Sequence, residues 1–178
     1  MSKTELTKHV EHSLWRQTVK QGVYGCFEMS IGIGWEADGI VDFITYDSLG
    51  EFRCYEIKTS VPDFYSQAKL SFKGDFNYYV IPSILLDKLR EHLVKDLEKK
   101  GIRTGKDNSR IFDERIKNAG IGLITVSDKG TLSVVIKPKR KSVRASMRTL
   151  LLESMVRSLH REVNKYYKIV PYGVKGSK

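Results

Sequence analysis

The sequence predicts a single α/β domain whose mixed central sheet is flanked by helices. Three observations support this fold class. The hydrophobic pattern changes repeatedly between the helical and the strand period, in the order helix, strand, strand, strand, helix, strand. Two of these strands are joined by Asp47-Ser48-Leu49-Gly50, a short turn typical of a hairpin. The length of 178 residues, 40% of them hydrophobic, suits one domain with a sizeable core.

The first half of the chain contains one helix and the three strands that follow it. Leu6, Val10 and Leu14 recur at four-residue steps, so residues 4–16 form an amphipathic helix that Ser2 or Thr4 can cap. β-Branched and aromatic residues then dominate three stretches that we expect to be strands, at residues 23–29, 39–46 and 52–58.

The second half continues the alternation of helices and strands. Pro62 can open a short helix over residues 63–70, and Pro82 introduces a longer one that reaches about residue 100. Residues 101–119 are rich in glycine and basic side chains, which predicts a mobile polar loop. Further strands are expected at residues 76–81, 121–126 and 132–136.

A basic amphipathic helix is predicted near the end of the chain. Five apolar residues recur there at three- or four-residue steps and share one face: Leu152, Val156, Leu159, Val163 and Tyr166. Packing of this stripe on the core is the default interpretation. Self-association of two copies, contact between the basic side and DNA, and a membrane-surface role are the alternatives.

The excess of positive charge lies in the last quarter of the chain. The net charge is +10, yet residues 1–136 contain nineteen basic and nineteen acidic residues, whereas residues 137–178 contain twelve and two. Such a concentration favours binding to a phosphate backbone. The predicted DNA contacts are the basic residues that begin this segment: Lys139, Arg140, Lys141, Arg144 and Arg148.

Several other classes of protein are excluded or disfavoured by the sequence. No hydrophobic run approaches the roughly 20 residues that span a bilayer, and no signal-peptide pattern is seen at the start, so we expect a cytoplasmic protein without membrane association. Cys26 and Cys54 fall in predicted strands, where reduced, buried side chains are expected and a zinc cluster is not. We find no P-loop and no dinucleotide-binding fingerprint.

The most informative motif is Glu56-Ile57-Lys58, which follows Val41-Asp42 by fourteen residues. Alternate residues of a strand share a face, so Glu56 and Lys58 point the same way. Pairing of the two strands can bring Asp42 beside Glu56, and a hard divalent cation would relieve the repulsion between the two carboxylates. Asp38 lies on the same strand face as Asp42 and is its rival, although Gly39 makes Asp38 look terminal.

These residues resemble the PD-(D/E)XK nuclease superfamily. More narrowly, the chain is similar to phage- and prophage-encoded proteins related to MmcB-like DNA-repair nucleases. The likeness covers roughly residues 5–136 and is specific within residues 39–82. The pattern is carried by the segments 27–29, 39–44, 54–64, 74–82 and 120–124.

The resemblance implies a restriction-endonuclease-like αβββαβ core over residues 1–136, with residues 137–178 as a basic extension packed on, or continuing, that domain. It further implies that Asp42, Glu56 and the Ile57 carbonyl bind Mg²⁺, for which Mn²⁺ can substitute, and that Lys58 is the catalytic lysine. Glu11 matches an acid that some members use to complete the metal shell through water, although a solvated glutamate is an equal alternative. Val41 stands where many members have proline.

Four further residues are secondary candidates. Asp63 follows Pro62 at the start of a helix, where capping of free amides is favoured over catalysis. Gln67 and Lys69 lie one turn further on and can reach a phosphate, and Glu28 can face the site, although simple exposure accounts for all three as well.

The leading hypothesis from the sequence is a Mg²⁺-dependent DNA nuclease acting in phage replication, recombination or repair. One alternative is a DNA-binding accessory protein that keeps the nuclease fold but cuts nothing. Another is a phage factor that binds a host or phage replication-recombination protein, or a second copy of itself, through the C-terminal helix.

Overall fold

A computed structural model describes residues 3–32, 39–66, 71–102 and 109–169 and confirms the predicted α/β fold with a mixed sheet flanked by helices. The elements in chain order are α1 (Glu5–Thr18), β1 (Val23–Ile31), β2 (Gly39–Asp47), β3 (Phe52–Ile57), α2 (Val61–Phe64), β4 (Phe76–Pro82), α3 (Leu85–Lys99), α4 (Ser109–Asn118), β5 (Gly122–Val126), β6 (Leu132–Ile136) and α5 (Ala145–Ile169). The predicted order of helix, three strands, helix and strand is therefore confirmed for the first 82 residues.

The six strands lie side by side in the order of the sequence. β1, β2 and β3 form an antiparallel meander, β3, β4 and β5 run parallel to one another, and β6 returns antiparallel to β5. The carboxyl end of β3 therefore lies between the amino-terminal half of β2 and the carboxyl end of β4. We call this edge of the sheet the site end, and the edge that carries the β2–β3 turn the far end.

One face of the sheet is covered by α1. The Thr4 hydroxyl caps this helix by accepting a hydrogen bond from the Thr7 amide at 3.2 Å. Two residues of the predicted apolar stripe, Val10 and Leu14, are fully buried against strand residues that include Phe43, whereas the third, Leu6, is exposed. This packing holds the helix across the middle of the sheet, close to the site end.

The opposite face is covered by α3 and α4 at one side and by α5 at the other. The prediction of a mobile loop over residues 101–119 is wrong for its second half, where α4 forms and buries Phe112 and Ile116. These two residues lie four apart, so they share a helix face, but the charged residues around them hide that period in the sequence. Residues 103–108 lie outside the described part of the chain.

The first helix after β3 is shorter than predicted. α2 is a single turn that ends at Phe64, whereas the sequence predicted a helix over residues 63–70. Gln67 and Lys69 lie outside the described residues, so their predicted contact with phosphate stays a prediction. Asp38, the rival of Asp42, also lies outside them.

The last helix packs on the sheet through a different face from the one predicted. Leu151 and Met155 are buried against β1 and β2, and Ser154 and Ser158 are buried with them. The predicted apolar stripe lies beside this face and stays exposed, with Val156 at 65%. Packing of that stripe on the core is therefore wrong. From Leu159 to Lys168 every side chain of α5 is exposed.

A buried ion pair ties the start of α5 to the far end. The Asp75 carboxylate is fully buried and accepts a hydrogen bond from the Phe52 amide at 2.9 Å. The Arg148 guanidinium donates to the same carboxylate and to the Gly50 carbonyl. Loss of Arg148 would leave the buried Asp75 carboxylate without its cation, so this pair holds α5 to the sheet.

Gly74 shows how closely the chain packs beside this ion pair. A Cβ atom at this position would lie 2.8 Å from the Phe52 carbonyl oxygen and 3.1 Å from the Cys54 amide nitrogen. Both neighbours are backbone atoms of β3, which leaves no room for a side chain. None of the helices in the described ranges is long and apolar enough to cross a membrane.

Candidate active site

Asp42 and Glu56 come together at the site end because of the β2–β3 register. The pairing of β2 with β3 ends at Phe43 and Tyr55, and Asp42 and Glu56 are the next residues of the two strands. The two carboxylates are close enough for the negative charge of Asp42 to raise the pKa of Glu56. The Asp42 carboxylate also accepts a hydrogen bond from the Ile57 amide at 2.8 Å, which fixes its position beside the end of β3.

Lys58 lies where β3 ends and is held from both its backbone and its side chain. Its amide donates to the Val80 carbonyl at 3.0 Å, which continues the pairing with β4. Its ammonium lies 3.2 Å from a Glu56 oxygen and 3.5 Å from an Asp63 oxygen. Glu56 and Lys58 are 6% and 5% exposed, so this charged pair lies within the protein.

The three charged groups change one another's protonation. Burial, reinforced by the negative charge of Asp42, raises the pKa of Glu56 to about 7. Burial also raises the pKa of Asp42, and the hydrogen bond from Ile57 and the charge of Lys58 only partly offset the increase. Burial lowers the pKa of Lys58, but the charges of Glu56 and Asp63 outweigh it, so the net shift is upward. Lys58 is therefore a cation at neutral pH.

Asp63 lies in the first turn of α2, but the hydroxyl that caps this helix belongs to Ser60, and the Asp63 carboxylate instead contacts the segment before it. The Asp63 amide donates to the hydroxyl of Ser60, the N-cap of α2, at 3.3 Å. The Asp63 carboxylate accepts from the Thr59 amide at 3.1 Å while its second oxygen lies near Lys58. One carboxylate thus fixes the turn after β3 and helps to place the lysine.

Glu28 adds an acid from the edge strand β1. Glu28 and Asp42 are the residues passed over between the pairs Phe27–Phe43 and Met29–Val41, and both line the same pocket. The Glu28 backbone has a φ of 48°, the left-handed region that a non-glycine residue adopts at a cost of roughly 1–3 kcal/mol. Backbone strain of this kind is concentrated at functional sites, and here it marks a residue that lines the pocket with Asp42.

Lys3 is a member of the site that the sequence did not indicate. Its ammonium lies 2.6 Å from a Glu11 oxygen and 2.7 Å from a Glu28 oxygen. These residues line a pocket of about 140 Å³, which is completed by Thr7, Asp42, Ile57, Thr59 and Asp63. Lys3 precedes the first helix, so no periodic pattern could have placed it there. Its cation occupies the space between two acids.

The donor set fits a hard divalent cation in chemical type. Within the described ranges, no group of three or more His, Cys, Asp or Glu side chains is arranged to hold a metal ion. Mg²⁺ needs fewer, because one or two carboxylates usually bind it together with water and substrate phosphate. Asp42 and Glu56 supply two such carboxylates, and burial raises the pKa of both, so a nearby cation would favour their charged forms.

The predicted DNA-binding residues lie away from the acidic pocket. The Lys141 amide donates to the Asp75 carbonyl at the far end, and β3, which separates this point from Glu56, spans about 16 Å. The side chains of Lys139, Lys141 and Arg144 are exposed, and Arg140 lies 3.4 Å from a Glu51 carboxylate. The guanidinium of Arg148 is engaged by Asp75 and Gly50.

Comparison with known proteins bears on the fold alone. No protein-family model and no curated protein matches the chain. Among solved structures, a protein of unknown function from Silicibacter pomeroyi is similar, with a TM-score of 0.64 and 15% sequence identity. The match covers 98% of this chain and 99% of that one, so the likeness includes α5 as well as the sheet.

Proposed function

We propose that this protein is a metal-dependent DNA nuclease that hydrolyses phosphodiester bonds in phage replication, recombination or repair. The proposal depends on one observation: Asp42, Glu56 and Lys58 meet at the carboxyl end of β3, beside an acidic pocket. Two carboxylates are enough to hold Mg²⁺ together with water and phosphate oxygens. A lysine beside them supplies a positive charge to the phosphate. The proposal places the activity in the cytoplasm of a bacterial cell.

Asp42, Glu56 and the Ile57 carbonyl would hold Mg²⁺, and Glu11 would act through water. When bound, Mg²⁺ lowers the pKa of a coordinated water and offsets negative charge on the phosphate. The protein's own contribution comes from Lys58. Its raised pKa keeps it protonated, so it serves as a hydrogen-bond donor and cation toward the phosphate rather than as a base. Glu56 and Asp63 hold the ammonium in place.

The test is cleavage of a panel of end-labelled DNA structures in Mg²⁺ and in Mn²⁺, with wild type beside Lys58→Ala. We expect the substitution to lower the cleavage rate by about 10²–10³-fold, because loss of one preorganised donor costs that much. DNA affinity in EDTA should change little, and the products should carry 5′-phosphates. Equal cleavage by the two proteins would refute the assignment.

A DNA-binding protein without nuclease activity is the second candidate. It is favoured by the contacts of Lys3, whose ammonium already neutralises two acids of the pocket. Salt-sensitive DNA binding without cleavage of any substrate, in either metal, would support it over the nuclease.

Assembly through α5 is the third candidate, and the exposed apolar stripe favours it. Removal of residues 137–178 would not test it cleanly, because Leu151 and Met155 belong to the core. Val156→Lys with Val163→Lys alters the stripe alone. Loss of a homodimer, or of a bound phage or host protein, in this variant with unchanged thermal stability would support this candidate.

A further inference from the structure

The protein has two concentrations of basic residues, and they lie at different places on the sheet. The first is the segment 137–148, which is attached to the far end through Asp75. The second is a row along the exposed part of α5, formed by Arg161, Lys165 and Lys168. Their positions relative to the acidic pocket decide which one a substrate strand can follow.

The row on α5 faces solvent on its own side of the helix. At 100° per residue, its three members cluster on one flank and the apolar stripe lies on the opposite flank. The buried residues Leu151, Ser154 and Ser158 lie between the two flanks. A ligand can therefore contact the basic row without competing with the core or with a partner bound to the apolar stripe.

Arg161 connects this row to the acidic pocket. Its guanidinium lies 3.4 Å from the Glu28 carbonyl oxygen, and Glu28 lines the pocket with Asp42. Arg161 and Lys165 both contact Glu162, at 3.2 and 2.9 Å, which offsets part of their charge but leaves the row net positive. Arg161 thus joins the row to the backbone of a pocket residue at the edge strand β1.

We infer that the basic row of α5, and not the segment 137–148, carries the phosphate backbone of the DNA strand that enters the acidic pocket. This inference rests on the proposed nuclease function for the identity of the pocket. From Arg161 to Lys168 the helix rises about 10 Å, and one strand of B-DNA presents about three phosphates over that distance along the axis. Three cations of the row match three phosphates.

The experiment compares two triple variants that remove the same charge. Arg161→Gln, Lys165→Gln and Lys168→Gln neutralise the row, whereas Lys137→Gln, Lys139→Gln and Lys141→Gln neutralise three exposed residues of the other segment. Both lower the net charge from +10 to +7. Binding of a fluorescent DNA duplex is measured in EDTA over a range of NaCl concentrations, with thermal unfolding as a check on folding.

We expect the α5 variant to reduce the slope of log K against log salt by about 2.7, because each phosphate contact contributes about 0.9. The matched variant should change the slope by less than about 0.9, the contribution of a single phosphate contact. An equal or larger loss in the matched variant, or an unchanged slope in the α5 variant, would overturn the inference.

The outcome is separable from that of the proposed function. Binding in EDTA requires no cleavage, so a slope that depends on α5 would stand even if no DNA structure is cut in Mg²⁺. Conversely, cleavage that depends on Lys58 together with a slope that depends on residues 137, 139 and 141 would keep the nuclease and reject this path for the DNA.

Discussion

Replacement of Glu56 by Gln tests whether the carboxylate pair is under strain in the metal-free protein. The pKa of Glu56 is about 7 in the folded protein and 4.5 as the ordinary value. Between these values the folded state binds more protons than the unfolded state, so stability falls as pH rises through the window. The contribution of Glu56 to the free energy of unfolding should therefore decrease by about 2–3 kcal/mol between pH 5 and pH 8, since one pKa unit corresponds to about 1.36 kcal/mol.

The assay is urea unfolding in EDTA at pH 5 and pH 8, for wild type and Glu56→Gln. The variant should lose most of the pH-dependent decrease, and a smaller decrease should remain because Asp42 is shifted in the same direction. The comparison uses the difference between the two pH values, which removes the constant effect of changing a partner of Lys58. Glu91→Gln, an exposed glutamate on α3, is the matched control and should leave the decrease as in wild type.

Mg²⁺ adds a second arm to the same assay. At pH 8, Mg²⁺ at about a hundred times its dissociation constant should stabilise wild type by about 2.7 kcal/mol, since it binds the folded state alone. Glu56→Gln should gain much less. The reasoning is refuted if Glu56→Gln keeps the full pH dependence, or if wild type becomes more stable between pH 5 and pH 8.

Two other substitutions test separate parts of the structure. Lys3→Met removes the ammonium that lies between two acids of the pocket. Because an exposed ion pair contributes about 1 kcal/mol or less, Mn²⁺ should bind this variant up to about fivefold more tightly than wild type. Weaker Mn²⁺ binding in an electron paramagnetic resonance titration would contradict this. Asp75→Asn should lower the unfolding free energy in urea by about 3 kcal/mol because it leaves Arg148 without its buried partner. Arg140→Gln, which breaks an exposed ion pair, should lower the unfolding free energy by less than about 1 kcal/mol. Equal losses of unfolding free energy in Asp75→Asn and Arg140→Gln would refute the structural role of Asp75.

The central part of the fold was predictable because its strands carry strong local patterns. Alternating or continuous β-branched and aromatic residues mark β2, β3 and β4, and a turn with glycine sets the β2–β3 register. That register ends at Phe43 and Tyr55, which leaves Asp42 and Glu56 as the next residues of the two strands. The core of the candidate site is thus a consequence of local sequence, whereas its chemistry stays a prediction.

The remaining features depend on contacts between residues distant in the chain. Lys3 reaches Glu28 only because α1 crosses the sheet beside β1. α5 buries Leu151 and Met155 rather than its more regular apolar stripe, and Arg148 at its start pairs with Asp75, a residue 73 positions away in the chain. Such partners are not encoded in the period of a helix. The basic segment 137–148 likewise lies at the far end, away from the pocket, because its position depends on a contact with Asp75.

The most direct test is a crystal soaked in Mn²⁺ and measured near the manganese absorption edge. The proposed function predicts an anomalous difference peak about 2.0–2.3 Å from carboxylate oxygens of both Asp42 and Glu56, with the Ile57 carbonyl as a further ligand. A peak that contacts neither carboxylate, or none in the pocket at saturating Mn²⁺, would contradict the proposed metal site.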